Sequence, residues 1–209
     1  MVYRVGRPPQ PWAWLDWGVA LADRTFGNRW DDPLGQYRVL YGSTSRYGAW
    51  LEKLARFRPA PVAPVLSRDE PLDVTSGDLP RSELARWRMG LAQLRGEYAD
   101  IGHSESLAVL RPFIWPGLAS FGLAELDAGA IRAAAPRRLT QELSRVVYEW
   151  RDPVFAGIRY GSRLGDDVEN WALFERDDLG LDLLGIDEGN PAEDHELERA
   201  LQTLRIRLV

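Results

Sequence analysis

Tyr37-Arg38-Val39-Leu40-Tyr41-Gly42-Ser43-Thr44-Ser45 runs directly into Arg46-Tyr47-Gly48-Ala49-Trp50-Leu51-Glu52-Lys53-Leu54, and the fold turns on how this stretch is read. Tyr37 to Tyr41 alternates, with β-branched and aromatic residues, as a strand does. Gly42-Ser43-Thr44-Ser45 offers a turn and a choice of helix N-caps. From Tyr47 to Phe57, the residues Trp50, Leu51, Leu54 and Phe57 recur at helical spacing, and Pro59 stops the helix. A strand that feeds straight into a helix lets the strand's end and the helix's first turns enclose one pocket.

Upstream, Met1–Val5 reads as a short strand broken by Gly6–Pro11. Trp12–Ala22 is apolar and aromatic, either a short helix or an irregular packed segment. Phe26-Gly27-Asn28-Arg29-Trp30-Asp31-Asp32-Pro33-Leu34-Gly35 has the composition of a loop. Downstream, Ala60–Gly77 is proline-rich, then acidic, and reads as a surface connection. Leu84–Leu94 is ambiguous; Gly90 would weaken a helix, so a strand is preferred. Ser104–Leu110 reads as a short helix capped by His103 or Ser104. Phe113–Ala119 reads as strand or loop because of its Pro and Gly. Asp127–Ala135 and Leu139–Trp150 read as helices, Val154–Gly161 and Asn170–Phe174 as strands, and Ala192–Leu204 as a helix. Strands and helices mix without strict alternation. The class expected is therefore α/β in the α+β sense, not a doubly wound parallel sheet.

The chain has 209 residues, 45% hydrophobic and 27% charged, enough for one domain with its own core. It has no cysteine, which excludes disulfides, cysteine-ligated metals and thiol catalysis. Its two histidines, His103 and His195, exclude a multi-histidine metal site. Net charge is −5, so a general nucleic-acid coat is not expected. No run approaches roughly 18 apolar residues, and no basic start precedes an apolar core, so a cytoplasmic protein is expected. Lys53 is the only lysine; nearly every cation is a guanidinium. Walker, GxGxxG, HExxH and GxSxG patterns are absent.

Two stretches carry candidate chemistry. Arg29, Tyr41 and Glu52 would share one rim: a guanidinium for phosphate, a phenol to stack on a ring, a carboxylate to stabilise positive charge. Each also has a plain structural reading. Arg29 could pair with Asp31 or Asp32, Tyr41 could be core, and Glu52 and Lys53 could face solvent. Gly157-Ile158-Arg159-Tyr160-Gly161-Ser162-Arg163 ends a strand in a serine that could donate to a carboxylate or to a ribose hydroxyl, or simply cap the strand end. His103-Ser104-Glu105-Ser106 reads as a helix cap, and His195 sits on an acidic, solvated helix face.

Taken in order, Tyr3-Arg4-Val5, Arg29-Trp30-Asp31-Asp32-Pro33, Val39-Leu40-Tyr41, Ala49-Trp50-Leu51-Glu52, Gly157 to Arg163 and Asn170-Trp171-Ala172-Leu173-Phe174 resemble the RES-domain family. The resemblance runs roughly from Tyr3 to Phe174. It implies a single domain similar to the ADP-ribosyltransferase fold, with a central mixed sheet. Residues 1–176 would form the NAD-consuming domain, and 177–209 an acidic extension with a terminal helix, part of the same globule. It further implies cleavage of the nicotinamide–ribose bond of NAD by phosphorolysis or hydrolysis, as the toxin of a toxin–antitoxin pair. NAD would be the substrate, inorganic phosphate a possible co-substrate, and no cofactor or metal is implied. The expected protein partner is an antitoxin that occludes the site; no membrane or directly bound nucleic acid is expected. Arg29 and Arg4 would hold the pyrophosphate, with Trp30 and Arg163 beside the ligand. Tyr41 would stack near nicotinamide or ribose, Glu52 would stabilise the cationic ribose, and Ser162 would orient Glu52 or the substrate. ADP-ribosylation of a macromolecule and a non-enzymatic interaction module are the alternatives.

Overall fold

The computed structural model describes residues 1–59, 77–133, 136–177 and 181–209. In chain order they form β1 (Val2–Gly6), β2 (Val39–Ser43), α1 (Arg46–Leu54), β3 (Asp78–Leu79), α2 (Arg81–Leu84), β4 (Arg88–Leu94), β5 (Glu97–Asp100) and α3 (Ser104–Leu118). Then follow α4 (Ala128–Ala133), α5 (Arg137–Glu149), β6 (Phe155–Gly161), β7 (Glu169–Phe174), β8 (Leu181–Asp187), α6 (His195–Leu204) and β9 (Arg207–Leu208). Seven strands make one mixed sheet in the order β5-β6-β7-β2-β1-β4-β8. Only β5 and β6 pair in parallel; the other neighbours are antiparallel. β3 and β9 form a separate parallel pair. The mixed α/β class expected from the sequence is what the chain adopts.

The strand-to-helix stretch differs in one detail. Gly42 and Ser43 are not a turn: they continue β2 and pair with Trp171 and Asn170 of β7. The ladder satisfies their backbone groups, so the turn shrinks to Thr44-Ser45. Ser45 is then the N-cap of α1, its hydroxyl accepting the Gly48 N–H at 3.0 Å. Helix α1 buries Ala49, Trp50, Leu51 and Leu54, the spacing of one helical face.

One other reading changes, and two that were left open are decided. Phe113–Ala119 is helix almost to its end, because α3 runs on through Pro112 and Pro116. Leu107, Leu110, Ile114 and Leu118 are its buried stripe, and burying that stripe outweighs two lost backbone hydrogen bonds on an exposed face. His103 is its cap, the ring Nδ1 accepting the Glu105 N–H. Trp12–Ala22 is irregular apart from a single 3-10 turn at Trp17–Val19. The connection expected over 60–77 falls, apart from Gly77, outside the described residues, as do the last two residues of the helix expected over 127–135.

Two core clusters share the sheet. One joins α3 and α5 to Val39, Ile158, Tyr160, Ala172 and Phe174. The other joins α1 and α6 to Val5, Trp87 and Met89. A smaller third cluster packs Trp12 of the N-terminal segment on Val2, Leu40, Ala92 and Leu173. The first two meet around the middle strands β1, β2 and β7.

Sheet closure depends on Gly157. A Cβ there would lie 2.1 Å from the carbonyl oxygen of Ala172 on the adjoining strand. Backbone cannot yield as a side chain can. Gly157→Ala should cost about 3 kcal/mol. For a domain of this size that lowers Tm by roughly 6–12 °C, read by calorimetry.

Candidate functional site

The loop of residues 26–36 is built around two buried carboxylates. Asp31 Oδ2 accepts the N–H groups of Phe26 and Asn28, at 2.8 and 2.7 Å. Its Oδ1 accepts the Tyr41 hydroxyl at 3.1 Å, and that hydroxyl in turn accepts the Trp30 N–H at 3.0 Å. Asp32 accepts the N–H groups of Leu34 and Gln36 and pairs with Arg145 of α5. Ser144 donates to the Trp30 carbonyl at 2.6 Å. The loop is thus fastened to β2 on one side and to α5 on the other.

This frame aims Arg29. Its guanidinium carbon lies 5.0 Å from the Trp30 ring centre and 5.2 Å from that of Tyr160, between two aromatic faces. One terminal nitrogen donates to the carbonyl of Ile131 at the α4 end. Its buried Nε has no partner among the described residues. Burial lowers the pKa of Arg29, outweighing Tyr160, Glu52 and Tyr41, which raise it.

Glu52 stands one and a half turns into α1, where its carboxyl reaches β7 and the end of β6. Oε1 accepts the Ser162 hydroxyl at 2.6 Å and the Asn170 side-chain N–H at 2.7 Å. Ser162 is 2% exposed and Asn170 1%. The Leu164 N–H donates to Ser162 Oγ at 2.9 Å, so the serine's own proton is directed to Glu52. Oε2 makes no hydrogen bond among the described residues.

These groups border a cavity of about 490 Å³ between the two larger core clusters, within the size range of small-molecule and cofactor sites. Among the described residues five cations line it, Arg4, Arg29, Lys53, Arg137 and Arg163, against the single carboxylate of Glu52. The protein's net charge of −5 is therefore reversed locally. Arg4 donates to the carbonyls of Pro11 and Tyr41, each at 2.8 Å, and burial brings its pKa down to about 10. Burial, reinforced by Arg56 and Arg4, brings Lys53 down to about 8. Burial also pushes the phenols of Tyr41 and Tyr160 well up, so both stay protonated. Cations at this density, partly desolvated, suit an anionic ligand.

Of the residues singled out in the sequence, Arg4, Arg29, Tyr41, Glu52 and Arg163 line this cavity, and Ser162 stands behind Glu52. Trp30 is different: its ring is fully buried in the core, backing Arg29 instead of lining the cavity. Arg29 pairs with neither Asp31 nor Asp32, whose acceptor sites are filled by the loop, Tyr41 and Arg145. Asn170, Tyr160, Lys53 and Arg137 also line the cavity, and the sequence does not single them out as site residues. Asn170 does carry a signal, since an amide leading the apolar run Trp171-Ala172-Leu173-Phe174 is out of keeping with the residues that follow it. Arg137 carries none: only the packing of α5 brings it to Gly27. His103 is a cap, and His195 opens α6 beside Asp194. Among the described residues no group of three or more His, Asp or Glu is placed to hold a metal ion. No described helix is long and apolar enough to cross a membrane.

A family model described as the RES domain matches residues 1–188, and the chain belongs to that family. The match continues past Phe174 through β8, the strand that completes the sheet beside β4. The family is known from toxin–antitoxin systems and points to an NAD-related, toxin-like role at the level of the family. No curated protein and no solved structure matches the chain.

Two outcomes follow from the geometry. Tyr41→Phe leaves the Trp30 N–H without its acceptor and costs about 2 kcal/mol. Tm should fall by roughly 4–8 °C in a thermal melt. Lys53 is charged below its pKa and neutral above it, so anion affinity should weaken as pH rises through about 8. Calorimetry with ADP, from one pH unit below that value to one above, should show a loss of about 5-fold, the worth of one partly exposed charge pair. Lys53→Met should flatten this dependence.

Proposed function

We propose that this protein cleaves the nicotinamide–ribose bond of NAD, with water or inorganic phosphate as acceptor, and that it serves as the toxin of a toxin–antitoxin pair. One observation carries the reading: a single anchored carboxylate, one oxygen turned free, in a cavity whose other charged groups among the described residues are all cations. The family to which the chain belongs supports it.

In this reading the guanidinium groups of Arg29, Arg163 and Arg4 attract and orient the pyrophosphate. Arg4 contributes less than its position suggests, because two of its donors already serve backbone carbonyls. Tyr41 offers its ring to the nicotinamide or the ribose, its hydroxyl being held by Asp31. As the C–N bond breaks, its electron pair leaves with nicotinamide, and positive charge builds on the ribose. Glu52 stabilises that charge and engages the ribose hydroxyls. Ser162 holds Glu52 in place. The acceptor oxygen then bonds to the ribose carbon, and its proton passes to solvent. An antitoxin that covers the cavity mouth would silence the enzyme by excluding NAD.

Glu52→Gln keeps the shape of the side chain and removes its charge. NAD consumption should fall at least about 100-fold, the scale of losing one electrostatic stabiliser. The thermal melt should change little. Product analysis of the wild-type protein with NAD, with and without phosphate, identifies the acceptor. Wild-type turnover in Glu52→Gln would sink the assignment, and label passing from NAD to a macromolecule would replace cleavage with transfer.

A further inference from the structure

We propose that Asn170 is a positioning residue, retained to fix the direction of the Glu52 carboxylate at a cost to the fold. The proposal rests on the NAD-cleaving reading for its kinetic consequences and on geometry alone for its structural one.

Asn170 lies on β7 opposite Ser43 of β2 and Tyr160 of β6, in the middle of the sheet. Its side chain is 1% exposed. Nδ2 donates to Glu52 Oε1 at 2.7 Å, and Oδ1 is buried with no partner among the described residues. An amide placed to hold the sheet together would have both ends satisfied, because an orphan acceptor out of reach of water is destabilising. Here only the end that meets Glu52 is satisfied. The amide cannot simply turn over. Rotation would set Oδ1 against Oε1, two acceptors face to face, and leave the NH2 without an acceptor.

Ser162 and Asn170 approach the same oxygen, one from the end of β6 and one from β7. Two donors on Oε1 fix both the position of the carboxylate and its rotation. Oε2 is then the oxygen left for the ligand. With Ser162 alone the carboxylate pivots about a single hydrogen bond, and the charge meant for the ribose loses its aim. Asn170 therefore acts on the chemical step and not on ligand capture, which belongs to the cations on the other walls.

Asn170→Leu removes the donor and the orphan acceptor together while nearly keeping the volume. It should lower kcat about 10- to 100-fold, as small misplacements of a catalytic group do. KM should stay within about 3-fold of wild type, and Tm should be unchanged or higher. Asn170→Asp keeps the shape but sets a second acceptor and a like charge against Oε1. It should lower kcat further than Leu does. In a Glu52→Gln background, Asn170→Leu should remove nothing more. A fall in Tm with kcat preserved, or equal losses from Asn170→Leu with and without Glu52→Gln, would overturn the proposal. A crystal structure of Asn170→Leu separates this claim from the assignment of NAD as substrate. Glu52 should leave its present rotamer there; an unmoved carboxylate overturns the positioning role whatever the substrate proves to be.

Discussion

The carboxylate of Asp31 is what the site is built upon. It is 2% exposed, yet it accepts two backbone N–H groups of its own loop and the hydroxyl of Tyr41. A loop whose middle, Trp30 to Asp32, is buried needs partners for its polar backbone from within the protein. Asp31 serves the residues before it and Asp32 those after it. Tyr41 then returns an acceptor to the Trp30 N–H, so loop and sheet hold each other. Everything that Arg29 does follows from this, because Arg29 is carried between residues whose backbone is fixed on both sides. Its guanidinium needs no carboxylate partner: the Trp30 and Tyr160 rings and the Ile131 carbonyl hold it, and its charge remains available to a ligand.

The second constraint is electrostatic. An acidic chain presents a cavity with five cations, and the carboxylates of its C-terminal segment, Asp177, Glu188, Glu193 and Glu198 among them exposed, stand elsewhere. Walls of low polarizability make those charges felt over a longer range than they would be in water. The same burial makes them costly, which is why Arg4 and Lys53 release their protons more readily than exposed side chains do. Glu52 is the counterweight. It is joined to the sheet through one oxygen only, so the cavity receives a negative group whose other oxygen is uncommitted.

How much of this is legible in the chain varies by residue, for physical reasons. The strand ending near Tyr41, the helix carrying Glu52 and the strand before Ser162 show plain periodicities and turn residues, and they form where the pattern puts them. Gly42-Ser43 departs from its local pattern because small residues suit a turn in isolation, whereas pairing with a neighbouring strand satisfies their backbone more fully. The same competition explains α3. Pro112 and Pro116 argue locally against a helix, and only the buried stripe from Leu107 to Leu118 overrides them. β5 and β8 lie on the two edges of the sheet, where half-exposed strands leave weak alternation in the sequence. Trp30 resembles a ligand contact because it adjoins Arg29, but side-chain direction in a loop is set by its hydrogen bonds, and these send the ring inward.

The groups available to the chemistry are a matter of composition: guanidinium groups, one lysine, phenols and carboxylates, with no thiol. Short motifs in a fixed order carry the family, and local periodicity carries the mixed class of the fold. Which of those groups share a cavity, and in what state, is settled by packing alone. Glu52 meets Ser162 and Asn170 across more than a hundred residues of chain, and Arg137 reaches Gly27 across a similar span. No local rule records such meetings. They are products of sheet order and helix packing, and the burial that comes with them sets the charge and direction of each group.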